Sequence, residues 1–285
     1  MYINLIVTPD DKTMAWIQWA RIGADPVGQT NTDWSMAFVD RKWDKHWSTR
    51  LAQGPNWFGI ETMQGSSARL ALERAEVLEG GARNGAPNSL YFLGPWDRGV
   101  WITRNPGDNL WEPQATVGVI NGQFRNTEKD DNKEISLDLK WKQSWGMFGF
   151  SWMNGRWVND IGLPTAPASS RRDAALGCVR YDRKGSRWDL QGEYVDGKLL
   201  GSDIEGWYTQ LEYDPTAKGA AYVKYEKYDP AVGVPGNTYD CWHVGYAHRM
   251  DANNELTLQF DQGTKGCDLV HPDRTAVGFQ WQFGF

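Results

Sequence analysis

The sequence of 285 residues predicts an all-β fold, a closed antiparallel transmembrane β-barrel of about sixteen strands, with fourteen as the alternative. Three observations predict this fold. Apolar and polar side chains alternate over many short segments, aromatic residues cluster near the ends of the apolar faces, and the connections alternate between short and long. A period of two places successive side chains on opposite faces of a strand. Tight turns at one rim and longer loops at the other are typical of transmembrane barrels.

The alternation is clearest in the C-terminal half of the chain. In one segment Trp207, Leu211 and Tyr213 share a face, while Gln210 and Glu212 share the other. The candidate strands lie at 2–8, 13–23, 32–40, 46–54, 98–104, 111–121, 133–142, 146–154, 171–181, 188–194, 207–213, 219–228, 240–249, 256–261 and 275–285. These fifteen leave the first and last strands pointing the same way, whereas single-chain bacterial barrels have an even number of strands. Either a sixteenth strand escapes the pattern, or segment 2–8 lies outside the barrel and fourteen remain.

The connectors fall into two classes that alternate along the chain. Short polar turns are expected at 182–185, 214–218 and 251–253, and longer loops at 155–170, 196–203, 229–239 and 264–274. A soluble β-sandwich is not expected to keep this alternation over five or six hairpins. A transmembrane barrel keeps it, because one rim holds short turns and the other rim holds long loops.

One long insertion, residues 53–97, interrupts a chain that otherwise reads as a single domain over residues 1–285. Its middle, 67–79, is rich in Ala, Leu, Glu and Arg, which are strong helix formers. Ser66 or Ser67 can cap this helix, and Gly80 with Gly81 can end it. We expect a short helix within a loop that folds into the lumen, since loops this long in compact domains are usually functional.

The two faces of the predicted strands differ in chemistry. The apolar face carries aromatic residues near the strand ends, at Trp188, Tyr194, Trp207, Tyr213, Trp242, Trp281 and Phe285. The opposite face carries charged residues, at Asp138, Lys140, Lys142, Glu193, Glu212, Lys224, Glu226, Arg249 and Asp261. Rings of Trp and Tyr are expected where an outer face meets the two surfaces of a bilayer, with a polar lumen inside.

Composition excludes several other functions. The net charge of -6 and a pI of about 5.3 argue against nucleic-acid binding. The chain has no Gly-Xaa-Ser-Xaa-Gly, HExxH or phosphate-loop motif and no CxxC pair, so no enzyme activity, cofactor or metal is expected. Met1 is not followed by a signal sequence, and we expect the numbering to be that of a processed chain.

Charged residues of the insertion and of the wall are the candidate pore-lining groups. Those of the insertion are Arg69, Glu73, Arg74 and Arg83, and those of the wall are Lys140, Lys142, Lys224 and Arg249. Because Glu61, Glu76 and Glu79 also lie in the insertion, no dense basic ladder is present. We expect a general or weakly selective channel, with anion preference as a hypothesis. The arginines can equally tether the loop to acidic wall residues.

Two of the three cysteines flank one predicted hairpin. A disulfide between Cys241 and Cys267 would fit an oxidising compartment and would leave Cys178 unpaired. Spacing alone does not establish its geometry, so a pairing and its absence both stay open.

An ordered set of short motifs resembles the phosphate-selective porin O/P family of bacterial outer-membrane channels. The segment 57–62 (WFGIET) is similar to that family's PFGxE element, and Ser66-Ser67 with Glu73-Arg74 is similar to its SS…ER element. Further matches are Asp97–Val100, Val117–Gly122, Gly192–Tyr194, Gly206–Tyr208 and Lys224–Glu226. The resemblance implies a sixteen-stranded homotrimeric porin in the outer membrane, in contact with lipid and lipopolysaccharide, which passes small solutes or anions.

Two other functions fit parts of the sequence. A soluble, Trp-rich carbohydrate-binding protein or glycosidase would use aromatic side chains to stack on sugar rings, although no pair of carboxylates is favoured. A plugged barrel would serve the outer membrane as a structural anchor. A folded protein that stays monodisperse without detergent would be the soluble carbohydrate-binding protein and not a barrel. Conductance in planar bilayers would distinguish a channel from a plugged barrel.

Overall fold

The strands of this protein form one antiparallel sheet in a computed structural model. The structure describes residues 2–21, 32–54, 56–64, 71, 75, 78, 97–107, 109, 111–121, 131–158, 168–199, 201–236, 238–251, 254–264 and 275–283. The strands are β1 (Tyr2–Asp10), β2 (Thr13–Arg21), β3 (Thr32–Lys42), β4 (Trp47–Gly54), β5 (Asp97–Arg104), β6 (Gln114–Ile120), β7 (Glu134–Gln143), β8 (Gly146–Val158), β9 (Ser169–Tyr181), β10 (Trp188–Leu199), β11 (Ser202–Thr216), β12 (Gly219–Asp229), β13 (Tyr239–Arg249), β14 (Asn254–Thr264) and β15 (Thr275–Phe283). A 3-10 turn, Glu61–Met63, follows β4. No helix among the described residues is long and apolar enough to cross a membrane.

Each strand pairs with its neighbours in sequence, in the order β1 to β15. All fifteen strands lie where the alternation predicts them. β1 pairs with β2 from Tyr2 opposite Ala20 to Asp10 opposite Thr13, so segment 2–8 belongs to the sheet. A sixteenth strand is not found among the residues that the structure describes, and the described pairings end at β1 and β15.

The connections divide between two rims. The short-turn rim holds the connections 11–12, 43–46, 105–113, 144–145, 182–187, 217–218 and 250–253, and the long-loop rim holds the others. The predicted helix at 67–79 lies outside the described residues except at Ala71, Ala75 and Leu78. These three have the spacing i, i+4 and i+7 of one helical face, and all three are buried.

The long loop predicted at 196–203 is wrong. β10 and β11 remain paired up to Leu199 opposite Ser202, so the turn is tight. Gly201 at this turn has φ of 88°, a conformation that glycine adopts without steric cost. Lys198 also forms an ion pair with Asp203 across the hairpin. The polar residues that suggested a loop are therefore strand residues of an extended hairpin.

The outer face of the sheet is apolar and exposed. Side chains with 38% to 54% of their surface exposed include Val100, Ile102, Val117, Val119, Ile135, Phe150, Val179, Leu190, Leu211, Val244, Leu258 and Phe260. Water-soluble monomers rarely expose an apolar area of this extent, whereas a transmembrane barrel presents it to lipid. The outward face is therefore the lipid-facing surface of a transmembrane barrel.

Aromatic side chains flank this apolar band on both sides. Towards the short-turn rim Trp188 packs against Tyr213, with tilted rings whose centroids are 4.4 Å apart. Towards the long-loop rim Tyr225 packs against Trp242 in the same tilted way, with centroids 4.5 Å apart. Trp188, Tyr213 and Trp242 lie where the sequence predicts aromatic residues, and Phe285 lies outside the described residues. They match the aromatic girdles of barrels that cross a membrane.

Contacts across the interior show that the sheet curls into a barrel. Asn56 accepts a hydrogen bond from Trp101 of β5, and Glu61 forms an ion pair with Lys224 of β12. In a flat sheet, β5 and β12 would be roughly 34 Å apart at about 4.8 Å per strand. One short segment, which contains a 3-10 turn and is not fully extended, contacts both strands, so the wall curves around it.

The lipid-facing assignment predicts a cost for charge at the middle of the outer face. Leu258→Arg in β14 is expected to lower the free energy of unfolding from phospholipid vesicles by about 2–4 kcal/mol, because the guanidinium would lie near the bilayer midplane. Urea titration followed by heat-modifiable gel mobility measures this loss. Val232→Arg, at an exposed apolar residue of the long-loop rim, is the control and should change little. Equal effects of the two variants would contradict a lipid-facing β14.

Candidate functional site

The segment 56–64 enters the barrel directly after β4. Asn56, Phe58 and Glu61 have at most 1% of their surface exposed, although they belong to a connection and not to a strand. Their burial comes from the inner wall, which surrounds them. This segment is a continuous described part of the predicted insertion 53–97.

Glu193 of β10 holds the backbone of this segment. Its carboxylate accepts hydrogen bonds from the amides of Ile60 at 2.6 Å and Glu61 at 3.0 Å, and from the Tyr208 hydroxyl at 2.6 Å. The amide of Gly59 donates to Ser151 Oγ of β8 at 2.9 Å. Three consecutive amides of the segment are therefore fixed to the wall.

Gly59 is the residue that makes this close approach feasible. Its φ is 75°, in the left-handed region that favours glycine. A Cβ at this position would lie 2.0 Å from Glu193 Oε1 and 2.8 Å from a methyl carbon of Leu176. The glycine of the WFGIET motif is thus required both by the turn and by the neighbouring carboxylate.

Glu61 forms a second attachment, two strands further along the same part of the wall. One of its carboxylate oxygens lies 2.6 Å from Lys224 Nζ of β12, and the other accepts the amide of Ala75 at 2.7 Å. Lys224 also lies 4.7 Å from the ring centroid of Tyr208. Lys224 and Glu61 have 0% and 1% of their side chains exposed, so this ion pair lies away from water.

Apolar packing fills the space between these attachments. Phe58, Ile60, Ala75 and Leu78 belong to one buried cluster with wall residues of β5 to β12. The wall members of the cluster are Trp101, Ile120, Met153, Ala174, Leu176, Cys178, Val195, Ile204, Tyr208 and Tyr228. This side of the lumen is therefore dry and packed like a protein core.

A buried cluster of three charged side chains lies at the edge of the packed side of the lumen, near the long-loop rim. Arg172 of β9 lies 3.1 Å from Asp97 of β5 and 2.9 Å from Glu134 of β7, and all three side chains are fully buried. Gly155 of β8 leaves the room for Glu134, since a Cβ there would lie 1.8 Å from Glu134 Cγ. These contacts connect β9 with β5 and with β7, and none of these three strands are direct neighbours in the sheet.

The inner wall of β3 and β4 is less enclosed. Arg50 donates two hydrogen bonds to Asp40, at 2.5 and 2.6 Å, and both side chains keep 20% or more of their surface exposed. The Arg50 guanidinium also lies 4.2 Å from the Phe38 ring and 4.4 Å from the Trp57 ring. Trp57 belongs to the inserted segment, so Arg50 connects the segment to this wall through aromatic contacts.

A cluster around His243 lines the wall of β12 to β14. Its two ring nitrogens lie 2.7 Å from Asp261 and 3.2 Å from Glu226. Ligand atoms of Glu226, Cys241 and His243 lie within 4.8 Å of one another, which is close enough for a metal ion. Cys241 is disulfide-bonded, however, and offers no thiolate. The cluster is therefore a hydrogen-bonded part of the wall.

A cavity of about 380 Å³ lies at the short-turn rim of the lumen. It is bounded by the ends of β11 to β14 and by the neighbouring turns. Its charged lining residues are Arg187, Glu212, Asp214, Lys218, Arg249 and Glu255. Ala220 and Ala247 form part of its lining with small side chains. Both signs of charge therefore face one space.

Two carboxylates fix turns of the same rim. Asp44 accepts hydrogen bonds from the amides of His46 at 2.7 Å and Trp47 at 2.8 Å, and these bonds lower the pKa of Asp44. Glu112 accepts from the amide of Gly107 at 2.8 Å and from Arg104, which lowers its pKa in the same way. Both groups stay ionised at neutral pH and stabilise the turns that separate the strands.

The four wall cations predicted to line a pore have different surroundings. Lys140 lies 3.0 Å from Asp138 and is nearly buried, and Lys224 is enclosed with Glu61. Lys142 and Arg249 are exposed near the short-turn rim, where Arg249 lies 3.8 Å from Glu255. Arg69, Glu73, Arg74 and Arg83 lie outside the described residues.

Cys178 is a buried free thiol, and Cys267, the predicted partner of Cys241, also lies outside the described residues.

Sequence reasoning missed the anchoring role of Glu193 and Glu61. It placed Glu193 on the inner face and Glu61 in the insertion. It did not predict that Glu193 binds the amides of the inserted segment or that Glu61 pairs with Lys224. The WFGIET motif was the available signal, because a glycine before a carboxylate in a polar-walled lumen suggests a fixed turn.

The fold is that of known bacterial porins. The anion-selective porin from Comamonas acidovorans matches with a TM-score of 0.62 and 13% identity, over 98% of this chain and 83% of that one. OmpF of Salmonella typhi, in a complex with daunomycin, has a TM-score of 0.62 and 12% identity over 91% of this chain and 81% of its own. A triple mutant of the Rhodopseudomonas blastica porin has a TM-score of 0.60 and 10% identity over 100% and 89%.

These similarities define a porin-type barrel. No protein-family model matches the sequence, and no functionally curated protein matches it either. At 9–13% identity the solved structures establish the fold alone.

The buried pair predicts a large cost when one partner is removed. Lys224→Met is expected to destabilise the folded protein by about 3–5 kcal/mol, because Glu61 would keep a buried charge without its partner. Lys198→Met is the matched control, since Lys198 and Asp203 are 53% and 61% exposed and such pairs contribute less than about 1 kcal/mol. Urea unfolding in lipid vesicles measures both.

A second variant separates the charge from simple loss of packing. Glu61→Gln combined with Lys224→Met should recover part of the loss, because no unpaired charge stays in the lumen. Equal destabilisation by Lys224→Met and Lys198→Met would show that the pair does not hold the segment.

Proposed function

We propose that this protein is an outer-membrane porin, a channel for passive diffusion of small solutes. The observation that carries the proposal is a barrel with a lipid-facing apolar surface, a charged inner wall and a chain segment fixed inside the lumen. Such a segment narrows a barrel without sealing its whole cross-section. The porin fold of the solved structures supports the same function.

The arrangement of the inner wall favours a path beside the packed segment. The segment is attached to β8, β10 and β12 through Ser151, Glu193 and Lys224. Arg50 and Asp40 on β3 and β4, and Arg249 at the short-turn rim, keep exposed surface instead. Water and solutes would pass along these less enclosed parts of the wall.

The cellular setting follows from the same surface. The outer band and its aromatic girdles fit the bacterial outer membrane, with lipid and lipopolysaccharide as the surrounding partners. A homotrimer is part of this proposal, as the resemblance to phosphate-selective porins implies.

Conductance of single molecules in planar bilayers tests the channel directly. Purified protein is expected to give discrete, ohmic current steps in potassium chloride.

The packed core around Phe58 and Leu78, which are both fully buried, favours a plugged structural barrel as the second candidate. Correctly folded protein that inserts without current steps would establish the plug and contradict the channel.

Charge pairing along the wall predicts weak ion selectivity. Lys140, Lys224 and Arg50 each have a carboxylate partner, so no described part of the wall shows a basic ladder. Reversal potentials in a tenfold salt gradient should be small, with any preference for anions supplied by arginines of the insertion. Strong cation selectivity would contradict the anion preference, and phosphate selectivity would require competition by phosphate at low concentration.

A further inference from the structure

The inner wall of β12 and β13 brings three metal-ligating side chains together. Cys241 of β13 lies directly opposite Glu226 of β12, and His243 lies two residues further along the same face of β13. Ligand atoms of the three side chains lie within 4.8 Å of one another, and each residue has at most 4% of its surface exposed. A sulfur, an imidazole nitrogen and a carboxylate oxygen are the ligand types of zinc sites in proteins.

Asp261 of β14 fixes the orientation of the His243 ring. Its carboxylate lies 2.7 Å from Nδ1, and it accepts a second hydrogen bond, also of 2.7 Å, from the side-chain amide of Gln259. Tyr222 of β12 donates to Gln259 Oε1 at 2.6 Å, so the carboxylate is itself held in place. Metal-binding histidines almost always donate their other ring N–H to a group of this kind.

The two ring nitrogens of His243 therefore have different roles. Because an ionised carboxylate only accepts hydrogen bonds, Nδ1 carries a proton that it donates to Asp261. The other nitrogen, Nε2, lies 3.2 Å from Glu226 Oε1, which is also an acceptor. Either a proton or a metal ion must lie between Nε2 and Glu226, since two lone pairs facing each other repel.

The disulfide bond of Cys241 controls the third ligand. Cys241 is disulfide-bonded, so its sulfur is not a thiolate. The chain has three cysteines and Cys178 is free, so the sequence leaves Cys267 as the partner. A small dithiol reduces such a bond: the S–S bond breaks, each sulfur receives one hydrogen from the dithiol, and the dithiol closes to a cyclic disulfide. A metal ion that then binds Cys241 displaces the thiol proton to solvent.

We infer that reduction of this disulfide by a dithiol converts the inner wall of β12 and β13 into a zinc-binding site. The ligands are Cys241 Sγ, His243 Nε2 and a carboxylate oxygen of Glu226, with water as the fourth. Ligand atoms around a tetrahedral zinc ion, at about 2.0–2.3 Å from it, lie roughly 3.5 Å apart. The three atoms need to approach by only about 1 Å. The site goes beyond the proposed channel function and does not depend on it.

Titration of Zn²⁺ against a chromophoric chelator tests the site in tag-free, detergent-solubilised protein. All variants carry Cys178→Ala, which removes the other thiol. Protein reduced with dithiothreitol, which is then removed under argon, should bind one zinc ion at least a hundredfold more tightly than oxidised protein. Cys267→Ser, which leaves Cys241 as a thiol without any reductant, should bind equally well. Co²⁺ should give a thiolate-to-cobalt charge-transfer band in both.

Substitutions of the other groups separate ligands from neighbours. In the reduced protein His243→Gln and Glu226→Gln should each weaken zinc binding at least tenfold. Asp261→Asn should weaken it about 10–100-fold, because the imidazole loses the group that orients it. His248→Gln, at an exposed histidine of the same strand, is the matched control and should leave zinc binding unchanged. Heat-modifiable gel mobility confirms that each variant is a folded barrel.

The oxidised and reduced forms of one sequence give the decisive comparison even where a variant does not fold. Reduced protein without zinc binding, or equal binding before and after reduction, would overturn the site. Bound cobalt without a charge-transfer band would show that Cys241 is not a ligand and would overturn it too. Current steps play no part in this result, so the channel and the zinc site stand or fall separately.

Discussion

The structure depends on one constraint, that every backbone amide and carbonyl in a hydrocarbon layer must find its partner within the protein. A single antiparallel meander satisfies this constraint, with each strand hydrogen-bonded to its neighbours from β1 to β15. Once the strands cross lipid, their period of two divides the side chains between acyl chains and lumen. The apolar residues of the outer face and the charged residues of the inner face follow from that division.

Part of the inner face is packed and dry, so its polar groups also need hydrogen-bond partners within the protein. The segment 56–64 places a backbone turn and a carboxylate inside the barrel, where unpaired polar groups are costly. Glu193 satisfies the amides of Ile60 and Glu61, and Lys224 satisfies the Glu61 carboxylate. Buried charges here serve as attachment points, which explains why charged residues of the wall are enclosed and not wet.

Local patterns predicted most of the fold. All fifteen strands were recognisable because alternation is a property of neighbouring residues, and the two aromatic girdles were recognisable for the same reason. The error at 196–203 arose because the polar residues Asp196, Lys198 and Asp203 resemble a loop, whereas they belong to a hairpin closed by Gly201. A tight turn inside a polar stretch leaves no alternation signal.

The interior could be predicted only in part. The polarity of Glu193, Glu61 and Lys224 was visible, but their contacts join residues more than 130 positions apart, and one sequence contains no signal for such pairing. Arg172 drew no attention because its partners lie on strands that become close only after the barrel curls. The cavity at the short-turn rim likewise forms from β11 to β14 together and has no local motif.

The division between a lipid-facing and a polar-facing side of each strand is the central claim. Spin labels on cysteines introduced one at a time at positions 256–261 of β14, in vesicles and on a background in which Cys178, Cys241 and Cys267 are replaced by alanine, test it most directly. Collision rates with oxygen should peak at 256, 258 and 260, and those with a water-soluble nickel complex should be low there. Oxygen accessibility without a period of two, or peaks at 257, 259 and 261, would contradict the account.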